Sequence, residues 1–258
     1  MRIGAHGRAP LSFCREETMT ELDSLYPMPE EAARFDPQAA AGKFRIVAIG
    51  DSITQCGSME REQRWTGILE RELGDDVTVV NVGIGGTSSN VGLFRWERDV
   101  APVQPHCVIV NFLLNDTHVR CYEYSGSYLL QCSADRMEAN LRAMVALICG
   151  AGAAPVWWTP PSIPPWPDNY RDQANYEIQM DVLDRYCGII ERLAGELSFP
   201  LANFFRTFAD LVDDYPGPYF VRPDGYHSTA AAQPILAQGI VEHVRPILQQ
   251  WRSGAAGG

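Results

Sequence analysis

Short apolar runs, separated by amphipathic segments, limit the folds that this chain can adopt. Three such runs lie in its first half, over Phe44–Ile49, Val77–Val82 and Cys107–Leu113. The near-continuous apolar sequence of Cys107–Leu113 suits a central parallel strand that is covered on both faces. Two further runs, Pro155–Trp158 and Phe199–Phe204, are predicted to form the fourth and fifth strands.

The segments between these runs carry apolar residues at helical spacing. Helices are predicted over Glu62–Leu73, Arg136–Cys149, Tyr176–Leu197 and Thr229–Trp251, the last interrupted early by Pro234. Alternating strands and helices indicate an α/β fold in which a parallel sheet lies between two layers of helices, a three-layer αβα sandwich.

A chain of 258 residues can fold as a single domain. The predicted strands and helices place that domain at residues 43–252. The polar residues 1–42, punctuated by prolines, are expected to form an N-terminal extension with a short helix over Glu30–Phe35. Residues 253–258 are expected to form a flexible tail. We interpret the extension as packed on the surface; an arm that supports dimerisation or covers part of the site is the alternative.

The charge of the chain restricts its partners. The formal net charge is −11, and Lys43 is the single lysine. Without a basic stripe, neither nucleic acid nor an anionic membrane surface is an expected partner. A strongly anionic substrate is also disfavoured, unless a local arginine offsets the charge.

Cysteine usage and the absence of long apolar stretches suggest a compartment. The seven cysteines are odd in number and contain no C-x-x-C pair, which favours a reducing environment over a disulfide framework. Met1–Leu11 lacks the apolar run of a signal peptide, and no stretch approaches transmembrane length. A cytoplasmic protein without membrane insertion is therefore expected.

Four polar or glycine-rich motifs accompany these strands and helices. Gly50-Asp51-Ser52, Asn81–Gly86 and Asn115-Asp116 each follow one of the first three strands, and Asp224–His227 precedes the last helix. In parallel sheets, ligands bind beyond the carboxyl ends of the strands. The first three motifs are therefore predicted to share one edge of the sheet.

The first and last motifs together contain a possible nucleophile and base. The Ser52 hydroxyl needs a base to remove its proton, and His227 can act as that base when Asp224 fixes its tautomer. Each motif alone is weak, because a serine after a strand commonly caps a helix and a D-x-x-H turn commonly lies at the surface. Their order and shared edge favour the catalytic interpretation.

The two middle motifs can supply hydrogen-bond donors for an oxyanion. Gly86 would offer a main-chain N–H and Asn115 its side-chain amide, in addition to the Ser52 N–H. Ordinary turns are the simpler interpretation of both. A phosphate-binding loop is disfavoured because G-x-G-x-x-G and G-K-[ST] are absent. The sequence leaves open which of Gly83, Gly85 and Gly86 points into the site.

With these four motifs in this order, the sequence resembles the GDSL/SGNH hydrolase superfamily from Phe44 to the final helix. The resemblance implies a flavodoxin-like sheet of five parallel strands, with Ser52, His227 and Asp224 as the catalytic residues. It also implies an oxyanion hole formed by Ser52, Gly86 and Asn115, and chemistry without a metal or other cofactor. One departure is Leu113, which stands where the family usually has glycine and bears on the pose of Asn115.

Aromatic residues near the predicted edge are candidates for substrate contact. Trp166, in a proline-rich loop after the fourth strand, could stack on a sugar ring or cover an acyl chain, or simply anchor that loop. Asp51 and Tyr226 are the other candidate substrate-binding residues. The insert Cys121–Gln131 suits either a lid or a contact in a homo-oligomer.

The expected activity is hydrolysis of small, short-chain acyl esters, with acetyl esters of carbohydrates as one expected class. Longer acyl chains, as in a lysophospholipase or thioesterase, are the enzymatic alternative, and transfer to another alcohol would use the same acyl-enzyme. A non-catalytic binding module on the same fold is the alternative from another class. A metal enzyme is disfavoured because the five histidines show no metal-ligand spacing.

Overall fold

A five-stranded parallel sheet forms the centre of the protein. The computed structural model describes residues 23–122, 127–161, 173–208, 220–222, 224 and 226–255. The strands are β1 (Phe44–Gly50), β2 (Val77–Asn81), β3 (Cys107–Asn111), β4 (Val119–Tyr122), β5 (Ser127–Leu130), β6 (Ala154–Thr159) and β7 (Leu201–Asn203). The helices are α1 (Glu30–Ala33), α2 (Ser52–Gln55), α3 (Trp65–Leu73), α4 (Ser89–Phe94), α5 (Leu113–Asp116), α6 (Ala134–Gly150), α7 (Gln173–Leu197) and α8 (Gln233–Ala255).

The strand order is that of a flavodoxin-like fold. The order across the sheet is β2-β1-β3-β6-β7, and every pairing in it is parallel. In the register, Ile46 of β1 lies between Val79 of β2 and Cys107 of β3. From β1 the chain adds β2 on one side of the sheet and then β3 on the other side. The carboxyl ends of β1 and β3 therefore meet at a topological switch point, where a crevice forms. The predicted α/β architecture is confirmed.

Alternating side chains of β6 pack on opposite faces of the sheet, one against helix α3 and the other against Phe199, which follows helix α7. Trp158 of β6 contacts Trp65 of α3, with ring centroids 5.5 Å apart. Trp157, one residue earlier, points the opposite way and contacts Phe199 at 5.1 Å. Both tryptophans are buried, so they belong to the core and not to the substrate cleft.

The ends of several predicted strands and helices differ from those in the structure, and two of the predictions are wrong for identifiable reasons. The third strand ends at Asn111 and not at Leu113, because the Asn111 side chain accepts a hydrogen bond from the Leu113 N–H (2.9 Å) and so begins α5. Pro234 does not interrupt the last helix. It lies in the first turn of α8, where a proline costs no hydrogen bond.

The last helix continues through Ala255, three residues into the segment 253–258 expected to be a tail, whereas residues 256–258 lie outside the described part. The insert Cys121–Gln131 contributes to an antiparallel hairpin of β4 and β5 that is separate from the main sheet. Among the described helices, none is long and apolar enough to cross a membrane.

Side chains cover the exposed edge of β2. Its Val79 N–H donates to Glu70 (2.7 Å), and the Val79 carbonyl accepts from Arg61 (3.2 Å). The Asn81 N–H donates to Glu31 of α1 at 2.8 Å. An unpaired edge invites pairing with another chain, and these contacts prevent it. The described part of the N-terminal extension therefore packs on the sheet edge beside the Asn81–Gly86 loop.

Candidate active site

The turn that presents Ser52 depends on the absence of a side chain at Gly50. A Cβ on Gly50 would lie 2.1 Å from Thr54 Oγ1 and 2.3 Å from the Asn111 carbonyl oxygen. Glycine alone fits here, so the chain passes directly from β1 into α2. Asp51 caps this helix by accepting the Ile53 N–H at 3.0 Å. Ser52 is thereby the first helical residue, partly exposed at the carboxyl edge of the sheet.

A continuous chain of hydrogen bonds links Ser52 to His227 and Asp224. The Ser52 Oγ lies 2.9 Å from His227 Nε2, and His227 Nδ1 lies 2.9 Å from Asp224 Oδ2. An ionised Asp224 can only accept, so the proton belongs on Nδ1. Nε2 is then left with a lone pair directed at the serine hydroxyl, which is the arrangement that a general base requires.

Main-chain hydrogen bonds hold Asp224 in place. Its Oδ1 accepts from the Tyr226 and His227 N–H groups, both at 2.9 Å. Burial acts to raise the pKa of Asp224, but these two bonds and the His227 ring outweigh it and lower the pKa below its ordinary value. The carboxylate therefore stays charged and oriented toward the imidazole.

The hydrogen bonds of the glycine-rich loop decide which glycine can serve an oxyanion. The Gly83 N–H donates to Asn81 Oδ1 (2.9 Å), and the Gly85 N–H donates to Gln55 Oε1 (3.0 Å). In the described part of the chain, neither the Gly86 N–H nor the Ser52 N–H has an acceptor. Gly86 also has a φ of +75°, which favours glycine. Of the three glycines left open by the sequence, Gly86 is therefore the available donor.

Asn115 lies at the same edge, on α5. Its Nδ2 donates one hydrogen to Asp51 Oδ2 at 3.0 Å. An amide nitrogen has two hydrogens, so the second is available to a ligand. The bond to Asp51 fixes the direction in which that second hydrogen points. Leu113, which replaces the usual glycine, is buried and begins α5 without preventing this contact.

Asp51 does not have the environment expected of a substrate-binding residue. Its side chain is fully buried, and its two oxygens are engaged by Ile53 and Asn115. Burial raises the pKa of Asp51 to about 6, against the opposing effect of the Asn115 and Ile53 hydrogen bonds. The geometry favours a role in positioning Asn115, and direct contact with substrate would require the site to open.

A cleft beside Ser52 provides space for a small ligand. It has a volume of about 260 Å³ and is lined by Ser52, Gln55, Ser58, Met59, Arg222 and His227, among others. A larger cavity of about 760 Å³ lies between α1 and β2, but neither Ser52 nor His227 lines it. We assign substrate binding to the smaller cleft because it contains both reacting side chains.

Of the other predicted substrate-binding residues, the structure describes Tyr226 but not Trp166. Tyr226 donates its N–H to Asp224, and its side chain packs partly against the core. Trp166 and the neighbouring Tyr170 lie outside the described residues. Sequence reasoning missed Arg222, which lines the cleft. Its position two residues before Asp224 was the available signal, although no recognised motif includes it.

In the described part of the chain, no three His, Cys, Asp or Glu side chains are grouped so as to hold a metal ion.

Fold and site together define a class of protein: a flavodoxin-like α/β protein with a serine, a histidine and an aspartate grouped at the carboxyl edge of its sheet. The chain belongs to the GDSL-like Lipase/Acylhydrolase family, whose model matches residues 48–234. It is a carboxylic ester hydrolase.

Two relatives and one solved structure illustrate the range of the family. The chain is 25% identical over 209 residues to "Thioesterase 1/protease 1/lysophospholipase L1" of Escherichia coli (strain K12), covering 81% of this chain and 87% of the relative. It is 24% identical over 217 residues to an "Acetylxylan esterase" of Geobacillus stearothermophilus, covering 78% and 93%. The crystal structure of an acetyl xylan esterase matches with a TM-score of 0.63 at 22% identity, covering 78% of this chain and 99% of that one. At that identity, the structural likeness concerns the fold alone.

Proposed function

We propose that this protein is a serine esterase that removes short acyl groups, acetyl in particular, from small esters through an acyl-enzyme on Ser52. One observation carries the proposal: the hydrogen-bonded chain from Ser52 Oγ through His227 to Asp224, with both links at 2.9 Å. A non-catalytic module would have no need of this geometry. The intact chain of bonds therefore argues against that alternative.

The proposed reaction begins when Ser52 Oγ attacks the ester carbonyl carbon and His227 Nε2 accepts the hydroxyl proton. The carbonyl oxygen, now negative, receives hydrogen bonds from the Ser52 and Gly86 N–H groups and from the free hydrogen of Asn115. His227 then returns the proton to the leaving alcohol, and the ester bond breaks. Water, activated by the same histidine, attacks the acyl-enzyme and releases the acid.

The preference for small esters rests on the size of the cleft, and the preference for acetyl groups rests on one relative. A volume of about 260 Å³ is at the small end for a ligand pocket. The similarity to an acetylxylan esterase makes acetylated carbohydrates a reasonable substrate class. The similarity to "Thioesterase 1/protease 1/lysophospholipase L1" favours a second candidate, an enzyme for longer acyl chains.

Release of p-nitrophenol from acetate, butyrate and octanoate esters tests the proposal. We expect turnover to fall with chain length and to disappear in Ser52→Ala. Faster turnover of octanoate than of acetate would favour the long-chain candidate. Ser52→Ala with wild-type turnover would contradict the mechanism itself.

A further inference from the structure

The cleft beside Ser52 contains an arginine that the proposed mechanism does not use. Arg222 lines this cleft together with Ser58 and His227. Its guanidinium donates to the Ser58 hydroxyl at 2.5 Å. Within the described residues, no carboxylate lies within 4.0 Å of it, although the chain as a whole has 32 acidic against 21 basic residues.

Other arginines near the site are neutralised. Arg64 is 3.5 Å from Glu31 and donates to the carbonyl oxygen of Met59, a residue that lines the cleft. Arg61 pairs with Glu70 at 3.0 Å. Arg222 therefore differs from Arg61 and Arg64. Among the described residues, its side-chain partner is a hydroxyl, whereas theirs are carboxylates. Its charge remains available to a ligand.

The main chain fixes the position of Arg222 relative to His227. The Arg222 N–H donates to the His227 carbonyl oxygen at 2.7 Å, and Val221 pairs with Ser228 in an antiparallel bridge. The Thr229 N–H donates to the Phe220 carbonyl oxygen at 2.9 Å, and the Phe220 side chain is buried. Arg222 and His227 are therefore direct neighbours across this pairing, and the main chain holds Arg222 at a fixed position relative to the base.

The chemistry of the proposed reaction determines which half of the substrate would meet this cation. His227 Nε2 must donate its proton to the leaving oxygen, so the alcohol half passes the His227 side of Ser52. The oxyanion donors Gly86 and Asn115 come from different segments, the loop after β2 and helix α5. Arg222 lies on the same hairpin as His227 and lines the same cleft.

We propose that Arg222, assisted by Ser58, selects esters whose alcohol half carries an anionic group, a carboxylate or a phosphate. The inference rests on the proposed esterase function. It also bears on the overall charge. A net charge of −11 repels anionic ligands at long range, and a local arginine with no carboxylate partner in the described part of the chain would attract one of them.

Three acetyl esters of similar size test the proposal: methyl 4-acetoxybenzoate, which is neutral, 4-acetoxybenzoate and 4-acetoxyphenyl phosphate. Wild type is compared with Arg222→Gln and with Arg245→Gln, a control that removes the same charge from the exposed surface of α8. We expect Arg222→Gln to lower kcat/KM for one or both anionic esters by roughly 10- to 100-fold. The neutral ester should lose much less than the anionic esters, and all three esters should change by less than about twofold in Arg245→Gln.

The pattern of losses distinguishes the possible outcomes. A lower kcat/KM confined to one or both of the anionic esters supports the proposal and shows which anion is recognised. Equal loss on all three esters would show that Arg222 merely supports the hairpin and would overturn the proposal, as would no loss on either anionic ester. Turnover of the neutral ester that depends on Ser52 shows separately that the esterase function holds. Absence of turnover on every ester would contradict both.

Discussion

At the scale of single residues, the site depends on side chains that hold other side chains in place. Asp51 lies behind the proposed oxyanion donor Asn115, fixing it with one oxygen and capping α2 with the other. Asp51, which lies next to Ser52, is among the substrate-binding residues predicted from the sequence. Burial cannot be inferred from that adjacency, because it depends on how α5 packs against the β1–α2 turn.

Asn115→Ala tests the proposed oxyanion donor. Removing one donor from such a site lowers turnover by about 100- to 1000-fold. We expect a fall in kcat of that order, with KM for p-nitrophenyl acetate changed little, because the bond strengthens as the oxygen becomes negative. Steady-state kinetics measures kcat and KM, and an unchanged melting temperature shows that the fold is intact. A loss expressed in KM alone would contradict the assignment.

Asp51→Asn is expected to raise stability and lower activity together. At neutral pH the wild-type protein buries a charge there, whereas asparagine buries none. In the variant, either two NH₂ groups face each other or the Asn115 amide flips, so the oxyanion donor is misplaced. We expect kcat to fall by roughly 10- to 100-fold. The melting temperature should rise at pH 7.5.

The pH dependence provides the control for Asp51→Asn. The pKa of Asp51 is raised from 3.8 to about 6, so its contribution to stability is present at low pH and is lost as the pH rises through that interval. The difference in melting temperature between variant and wild type should therefore disappear near pH 4. A difference that did not vary with pH would mean that charge burial is not the cause.

At the scale of strands, helices and loops, the glycine-rich loop after β2 packs closely against helix α2, and a Cβ on Gly85 would lie 3.6 Å from the Cβ of Ser52. A Cβ on Gly83 would lie 2.4 Å from the Gln55 nitrogen and 2.8 Å from its Cα. The loop after β2 therefore packs directly against the backbone of α2, the helix that begins at Ser52. The glycines are evident in the sequence, but only the hydrogen bonds of Asn81 and Gln55 show which of their N–H groups are already engaged.

Gly83→Ala should separate these two segments. The added methyl group meets main-chain atoms, which cannot move as a flexible side chain would, so we expect a loss of about 3 kcal/mol in the free energy of unfolding. Activity should fall as well, because Gly86 would move away from Ser52. Urea denaturation and ester hydrolysis measure the two effects.

Gly188→Ala is the matched control for this substitution. Gly188 lies inside α7, and a Cβ there would meet nothing within 4 Å. We expect it to stabilise the protein by up to about 1 kcal/mol through helix propensity, with unchanged activity. Similar behaviour of the two variants would contradict the close-packing account.

At the scale of the whole molecule, the alternation of apolar runs and amphipathic segments was sufficient to predict the α/β architecture. It did not place the end of β3, because Phe112 and Leu113 are as apolar as the strand and are buried outside it. The motifs could be recognised in the sequence, but Arg222 could not. Its significance depends on the pairing of residues 220–222 with 227–229, and on the fact that none of the described carboxylates lies near it. Such features depend on tertiary contacts that no local pattern records.

The stability of the whole molecule should depend on a second buried carboxylate. Burial raises the pKa of Asp116 from 3.8 to about 7, despite hydrogen bonds from Ser89. The folded protein therefore binds a proton more tightly than the unfolded chain, and this contribution to stability is lost as the pH rises from about 4 to about 7. Asp116→Asn should flatten the decline in unfolding free energy across that interval, as measured by urea denaturation at several pH values. An unchanged slope would contradict this account of Asp116.

The central claim is that Ser52 is a nucleophile activated by His227, and covalent labelling tests it most directly. The protein is treated with a fluorophosphonate, which reacts with activated serines, and its intact mass and labelled peptide are determined by mass spectrometry. We predict one adduct, located on Ser52, with no labelling of Ser52→Ala and much slower labelling of His227→Ala. Labelling of Ser52→Ala at the wild-type rate, or an adduct on another residue, would contradict the account.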